Sequence, residues 1–157
     1  MKSTKLLLVV ALMLTMALGA GVTALAQTYE VALIVKATDS DFWQVVLRGG
    51  ETAGLELDNV NVRTYGPVSE ADIAEQVAIL ENVITARPDA IVIASTSSEA
   101  TIPALEMAYE QGIKIILIDN LVHTESYHSF LATDNRVGGA MAAEMFVQYA
   151  EAMGKPL

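Results

Sequence analysis

Short runs of consecutive apolar residues alternate along this chain with longer stretches whose apolar positions recur every three to four residues. Val31–Val35, Ala90–Ala94 and, within Ile113–Ile118, Ile115–Ile118 are continuous apolar runs of strand length, and Val60–Tyr65 alternates at period two through Val60, Val62 and Thr64. Such runs predict strands, the continuous ones buried on both faces and the alternating one nearer an edge. A further strand is expected over Tyr127–Ala132. Helical spacing predicts helices over Phe42–Leu57, Ser69–Ala86, Glu99–Gln111 and Arg136–Met153. The second is the clearest: Ile73, Val77, Leu80 and Ile84 form one stripe, Ser69 with Asp72 makes a capping pair, and Pro88 stops it. Gly112 closes the third helix. Strand–helix alternation with short connections defines an α/β fold, a doubly wound parallel sheet in the flavodoxin-like order 2-1-3-4. Its crossovers are expected to be right-handed.

The first 26 residues read as an export address rather than as part of that fold. Lys2 and Lys5 make a basic start, Leu6–Leu18 is an apolar run interrupted by Thr15, and Ala24-Leu25-Ala26 is a small-x-small cleavage site. This is the pattern of a secretory signal peptide, and the run is short for a retained span of about 20 residues. The mature chain is therefore expected to be periplasmic and not embedded in the membrane. Losing two lysines from a net charge of −10 leaves the remainder at −12. Nucleic acid and anionic lipid need basic surface, so this balance argues against both as partners. With no cysteine, stability rests on a packed core, for which the length suffices.

Polar residues gather where the strands are expected to end. Lys36-Ala37-Thr38-Asp39-Ser40 follows the first strand, Ser95-Thr96-Ser97-Ser98 the third, and Asp119-Asn120 the fourth. In an open α/β sheet the ligand crevice lies at these carboxyl ends. Phe42 and Trp43 open the first helix beside Asp39, Ser40 and Asp41. Aromatic faces among short hydrogen-bonding side chains suit a polyhydroxylated ring, which has apolar C–H faces and a polar rim. The same two aromatics also fit the start of a helix's core face. Asp119, directly after Ile115–Ile118, is a carboxylate at the rim of a buried strand. Vicinal hydroxyls would satisfy it, and so would a turn or a local cation. Ser97 or Ser98 equally fits a helix N-cap.

Other chemistries find less support. Neither G-x-G-x-x-G nor G-x-x-x-x-G-K-[ST] occurs, and Gly49, Gly50 and Gly54 lie inside a helix as packing positions. His123 and His128 are too few for a metal site. Asp39, Asp41 and Asp119 would suit the magnesium pocket of a phosphate-receiving signalling domain, a cytoplasmic class at odds with the export signal. No catalytic residue, metal ligand or cofactor is assigned.

Taken in order, these segments resemble the ribose- and galactose-type periplasmic binding proteins, two-lobed proteins of the Venus-flytrap kind whose relatives include ligand domains of lactose-repressor-like regulators. The resemblance is carried by Val31–Val35 leading into Asp41-Phe42-Trp43, by Gly66-Pro67-Val68-Ser69-Glu70, and by Asp89-Ala90-Ile91-Val92-Ile93. It continues through Gly112–Asp119 and Thr133-Asp134-Asn135 with Gly138-Gly139, covering residues 29–150. It implies that Ser40 bonds sugar hydroxyls, that Phe42 and Trp43 flank the ring, and that Asp119 and Asn120 grip hydroxyls. Lys36, Asp39 and Thr96 fall near the same site. Asn120 stands where ribose binders have an arginine, which argues against ribose itself.

Thr133 and Asp134 match the first of three hinge crossings between two lobes. The implied organisation is a signal peptide over 1–26, an N-terminal ligand-binding lobe over 27–133, and over 134–157 a hinge crossing with the first helix of a second lobe. The chain is thus expected to be the N-terminal portion of a protein about twice as long. Met141, Met145, Phe146, Tyr149 and Met153, at helical spacing with no later sheet to cover, fit that expectation. The implied function is the solute-binding component of an ABC-type sugar importer, not an enzyme. A monosaccharide or related polyol would be trapped by hinge closure, and a full-length monomer would meet a membrane permease. The alternative is ligand presentation to a chemoreceptor or sensor kinase, including furanose-like signal molecules.

Overall fold

A computed structural model describes residues 27–155, so the expected signal peptide lies outside the described residues. The chain runs β1 (Tyr29–Ile34), α1 (Asp41–Glu56), β2 (Val60–Tyr65), α2 (Ile73–Thr85), β3 (Ala90–Ile93), α3 (Ile102–Glu110), β4 (Lys114–Ile118), β5 (Ser129–Leu131) and α4 (Asn135–Ala152). The strands form one parallel sheet in the order β2-β1-β3-β4-β5. This is the expected doubly wound order, with β5 added at the edge. The register sets Val31 between Val62 and Ala90, Ile91 beside Ile115, and Leu117 beside Phe130.

Alternation along each strand divides the core. Ala32, Ile34, Ile91, Ile93, Ile115 and Leu117 point to one side, where Leu80, Val83 and Ile84 of α2 and Leu105 and Ala108 of α3 cover them. Leu33 and Val35 point to the other side and pack with Trp43 and Leu47 of α1. Cover on both faces, expected from the strand patterns, is complete only on the α2–α3 side among the described residues. Opposite, Val92, Ile116 and Ile118 stay half-buried. Of α4, Ala150 is buried, while Met141, Met145, Phe146, Tyr149 and Met153 are exposed.

Element ends differ from expectation for local reasons. α2 starts at Ile73 rather than Ser69, and its N-cap Asp72 makes no side-chain capping bond. The expected Ser69–Asp72 capping pair is replaced by a turn, in which Ser69 Oγ accepts the Ala71 N–H (3.3 Å) and the Ser69 carbonyl accepts the Asp72 N–H (3.0 Å). α3 starts at Ile102 rather than Glu99, because Ser97 Oγ accepts the Glu99 and Ala100 N–H groups (3.3 and 3.1 Å) in a separate turn. Pro103 then sits in the helix's first turn, where its missing N–H costs nothing. Gly112 ends α3 at φ +84°, and the Ile113 N–H returns to the Ala108 carbonyl (3.1 Å). β5 starts at Ser129 rather than Tyr127, and just before it His128 Nδ1 accepts the Ile115 N–H (3.1 Å). No helix among the described residues is long and apolar enough to cross a membrane.

Candidate functional site

The chain leaves β1 toward β2 through α1 and leaves β3 toward β4 through α3, although β1 and β3 are neighbours. Connections that diverge from adjacent strands leave a crevice at their carboxyl ends. A cavity of about 360 Å³ lies at this edge, lined by Phe42, Trp43, Ile118, Asp119, Leu131 and Thr133 among others. A larger cavity, about 570 Å³, lies at the opposite edge among Tyr29, Val60, Ala90 and Lys114, the amino ends of the strands. There Asp89 spends its carboxylate on the Glu30 N–H (2.7 Å). The carboxyl-end cavity is the better candidate.

The loop after β1 is held firmly. Thr38 donates through its N–H (2.9 Å) and its hydroxyl (3.1 Å) to the Pro67 carbonyl, and the Asp39 N–H reaches the Val68 carbonyl (3.2 Å). Gln44 Nε2 donates to the Thr38 carbonyl (2.8 Å). Gly66 permits the two loops to approach, since a Cβ there would stand 2.8 Å from Val35 Cγ2 and 3.2 Å from the Val35 carbonyl oxygen. Asp39 is exposed and Ser40 half-buried. Ser40 is the N-cap of α1 but makes no side-chain capping bond.

The two aromatics part company. Trp43 is 3% exposed and Phe42 61%. Trp43 belongs to the α1-side core, its Nε1–H donating to Glu70 Oε1 at 2.6 Å, so it forms an inner wall of the cavity rather than an open platform. Phe42 meets it edge to face, with centroids 4.8 Å apart and planes at 82°. The ring left free to meet a ligand is that of Phe42.

Lys36 Nζ donates to Asp119 Oδ2 at 2.6 Å and lies 5.7 Å from the Trp43 ring centroid. The local cation considered for Asp119 is therefore Lys36. Asp119 sits at φ +68°, in a three-residue turn closed by the Asn120 N–H to the Ile118 carbonyl (2.8 Å). A non-glycine residue held there stores strain, as ligand-clamping residues often do. Asn120 Nδ2 reaches the Leu121 carbonyl at 3.4 Å, while its Oδ1 is buried with no partner among the described residues. Thr96 is half-buried, and its N–H and hydroxyl both donate to Gln76 Oε1 (2.8 and 2.9 Å). Thr133 lines the cavity, and Asp134 caps α4 by accepting the Arg136 and Val137 N–H groups, each at 3.0 Å.

Sequence reasoning missed Glu70, Gln76 and Leu131. Glu70 stands 27 residues from its indole partner, with no local signal. Gln76 carried one: it falls on the apolar stripe of α2 between Ile73 and Leu80, where a polar side chain is buried and must be bonded. Among the described residues, no group of three or more His, Cys, Asp or Glu side chains is placed to hold a metal.

The chain belongs to the periplasmic binding protein domain family, whose pattern it matches over residues 31–155. It is 28% identical over 122 residues to the D-ribose/D-allose-binding protein of Pseudomonas aeruginosa, covering 73% of this chain and 38% of that protein. Among solved structures it is similar to a carbohydrate transporter solute binding protein of Agrobacterium radiobacter in complex with D-arabinose. That match has 38% identity and a TM-score of 0.69, over 84% of this chain and 44% of that one. It is also similar to AraP, an arabinose binding protein of Geobacillus stearothermophilus, at 30% identity and a TM-score of 0.72, over 79% of this chain and 42% of that one. The chain thus spans about two-fifths of the length of these relatives.

Proposed function

We propose that this chain forms one lobe of an exported sugar-binding protein that serves ABC-type import, binding a monosaccharide or related polyol without chemical conversion. The observation that carries this reading is the convergence of Phe42, Asp119 and Thr133 on one cavity at the divergent strand ends, with Lys36 bonded to Asp119 beside it. The names of its relatives point the same way. Phe42 would cover an apolar face of the sugar, with Trp43 as the wall behind it. Asp119 and Lys36 offer an acceptor and a donor to adjacent hydroxyls, with Ser40, Asp39 and Asn120 around them. Thr96, its two donors held by Gln76, offers its hydroxyl oxygen as an acceptor from the loop after β3. The partner across the membrane would be a permease.

In this reading residues 27–133 are the lobe, Thr133 and Asp134 begin a crossing, and 134–157 carry the first helix of an opposing lobe. Two such lobes close on a ligand because it binds the closed form better than the open one. A micromolar affinity is about −8.2 kcal/mol, so a lobe that supplies half of it binds in about the millimolar range. The test is an NMR titration of residues 27–157 with D-ribose, D-arabinose and D-fucose. Weak, saturable shifts at Ser40, Phe42 and Asp119 are expected. Absence of shifts at those positions with every sugar would sink the sugar reading, and micromolar binding by calorimetry would sink the one-lobe reading.

A further inference from the structure

Gln76 has no exposed surface, yet it lies in the first turn of α2 beneath the crevice. Its Nε2 donates to the Val35 carbonyl (3.0 Å) and to the Ala94 carbonyl (2.9 Å). These are the first residues beyond β1 and β3, the adjacent strands whose connections diverge. Its Oε1 accepts from the Thr96 N–H (2.8 Å) and the Thr96 hydroxyl (2.9 Å). Two donors and two acceptor positions are all that a carboxamide has, and every one is spent.

The bonds tie together two loops just past the end of the β1–β3 ladder. Lys36 follows Val35 directly, and Thr96 stands two residues past Ala94. The β1–β3 ladder ends where the Ala94 N–H meets the Ile34 carbonyl (3.0 Å), so beyond it Gln76 is what joins the two strand ends. We infer that Gln76 is a positioning residue of the ligand site: it touches no ligand, and sets the spacing between the loop carrying Lys36 and the loop carrying Thr96. The inference rests on the sugar-binding reading for its consequence but not for its geometry.

The test compares residues 27–157 with the Gln76→Met and Gln76→Glu variants by NMR, titrating each with D-arabinose at several pH values beside the unaltered chain. Methionine fills the same volume and leaves all four partners unbonded. Glutamate keeps the acceptors and, when protonated, regains one donor; burial favours that protonation. The expected results are Thr96 amide exchange at least about tenfold faster in Gln76→Met and D-arabinose affinity about tenfold weaker. In Gln76→Glu, affinity relative to the unaltered chain recovers as pH falls. A residue serving stability alone would lower the melting temperature without that recovery.

A folded Gln76→Met chain with unchanged affinity overturns the inference. If methionine prevents folding, the Gln76→Glu profile decides alone: recovery supports the inference and a flat profile overturns it. If the unaltered chain shows no sugar-induced shift, the sugar reading falls, and Thr96 exchange still decides. Faster exchange in a variant supports the tie between the loops, and unchanged exchange overturns it.

Discussion

Replacing Phe42 with alanine removes a ring that is 61% exposed, whereas the same change at Trp43 empties a site that is 3% exposed. Phe42→Ala is expected to shift stability by no more than about 0.5 kcal/mol while abolishing sugar-induced NMR shifts. Trp43→Ala is expected to cost about 3–5 kcal/mol, a large share of the roughly 5–15 kcal/mol that holds a domain together; urea melts of the two variants check the contrast. Asp119→Gly makes a complementary case. Glycine relieves the left-handed strain at φ +68° but loses the partly exposed pair with Lys36. Stability should change by less than about 1 kcal/mol, and ligand shifts at Lys36 should vanish. At this scale, the placement of Phe42 and Asp119 at the carboxyl edge of the sheet was legible, because Asp119 directly follows the run Ile115–Ile118 and Phe42 opens the helix after Val31–Val35. Glu70 and the Lys36–Asp119 pairing were not, since their partners stand 27 and 83 residues away. Nothing local in a sequence records which distant side chain answers a charge.

Elements were legible where periodicity is long, and blurred where a short polar side chain captured a backbone N–H. Ser69 and Ser97 each hold a turn that delays the following helix, and a count of apolar positions cannot separate such a turn from a cap. The sequence makes the glycines of α1 packing positions, and the structure sorts them. A Cβ on Gly50 would stand 2.5 Å from Leu33 Cδ2, while one on Gly49 meets nothing within 4 Å. Gly49→Ala should therefore stabilise the chain by about 0.5–1 kcal/mol, because alanine is the better helix former. Gly50→Ala must displace a buried leucine, and is expected to destabilise by about 1–3 kcal/mol. Chemical denaturation of the adjacent pair tests how closely α1 lies on β1.

For the whole molecule, the two sides of the sheet are unequally dressed. Half-buried Val92, Ile116 and Ile118 join an edge strand with exposed Phe130 and Leu131 and a helix with exposed Met145, Phe146 and Tyr149. So much apolar surface is unusual for a chain that stays alone in water. Residues 27–157 are expected to enhance the emission of anilinonaphthalene sulfonate and to sediment as concentration-dependent oligomers; a monodisperse monomer that leaves the dye dark would count against this account. The sheet order was legible because each crossover carries its own pattern, but bare flanks are a property of what packs, which no run of residues spells out. One corner of this molecule also comes with a built-in lamp. Trp43 is the chain's sole tryptophan, wedged between the Glu70 carboxylate and the Lys36 ammonium. Its fluorescence, excited apart from the tyrosines, therefore reports on the wall that the α1-side core and the crevice share, and a sugar that draws Lys36 away should recolour that light without any label.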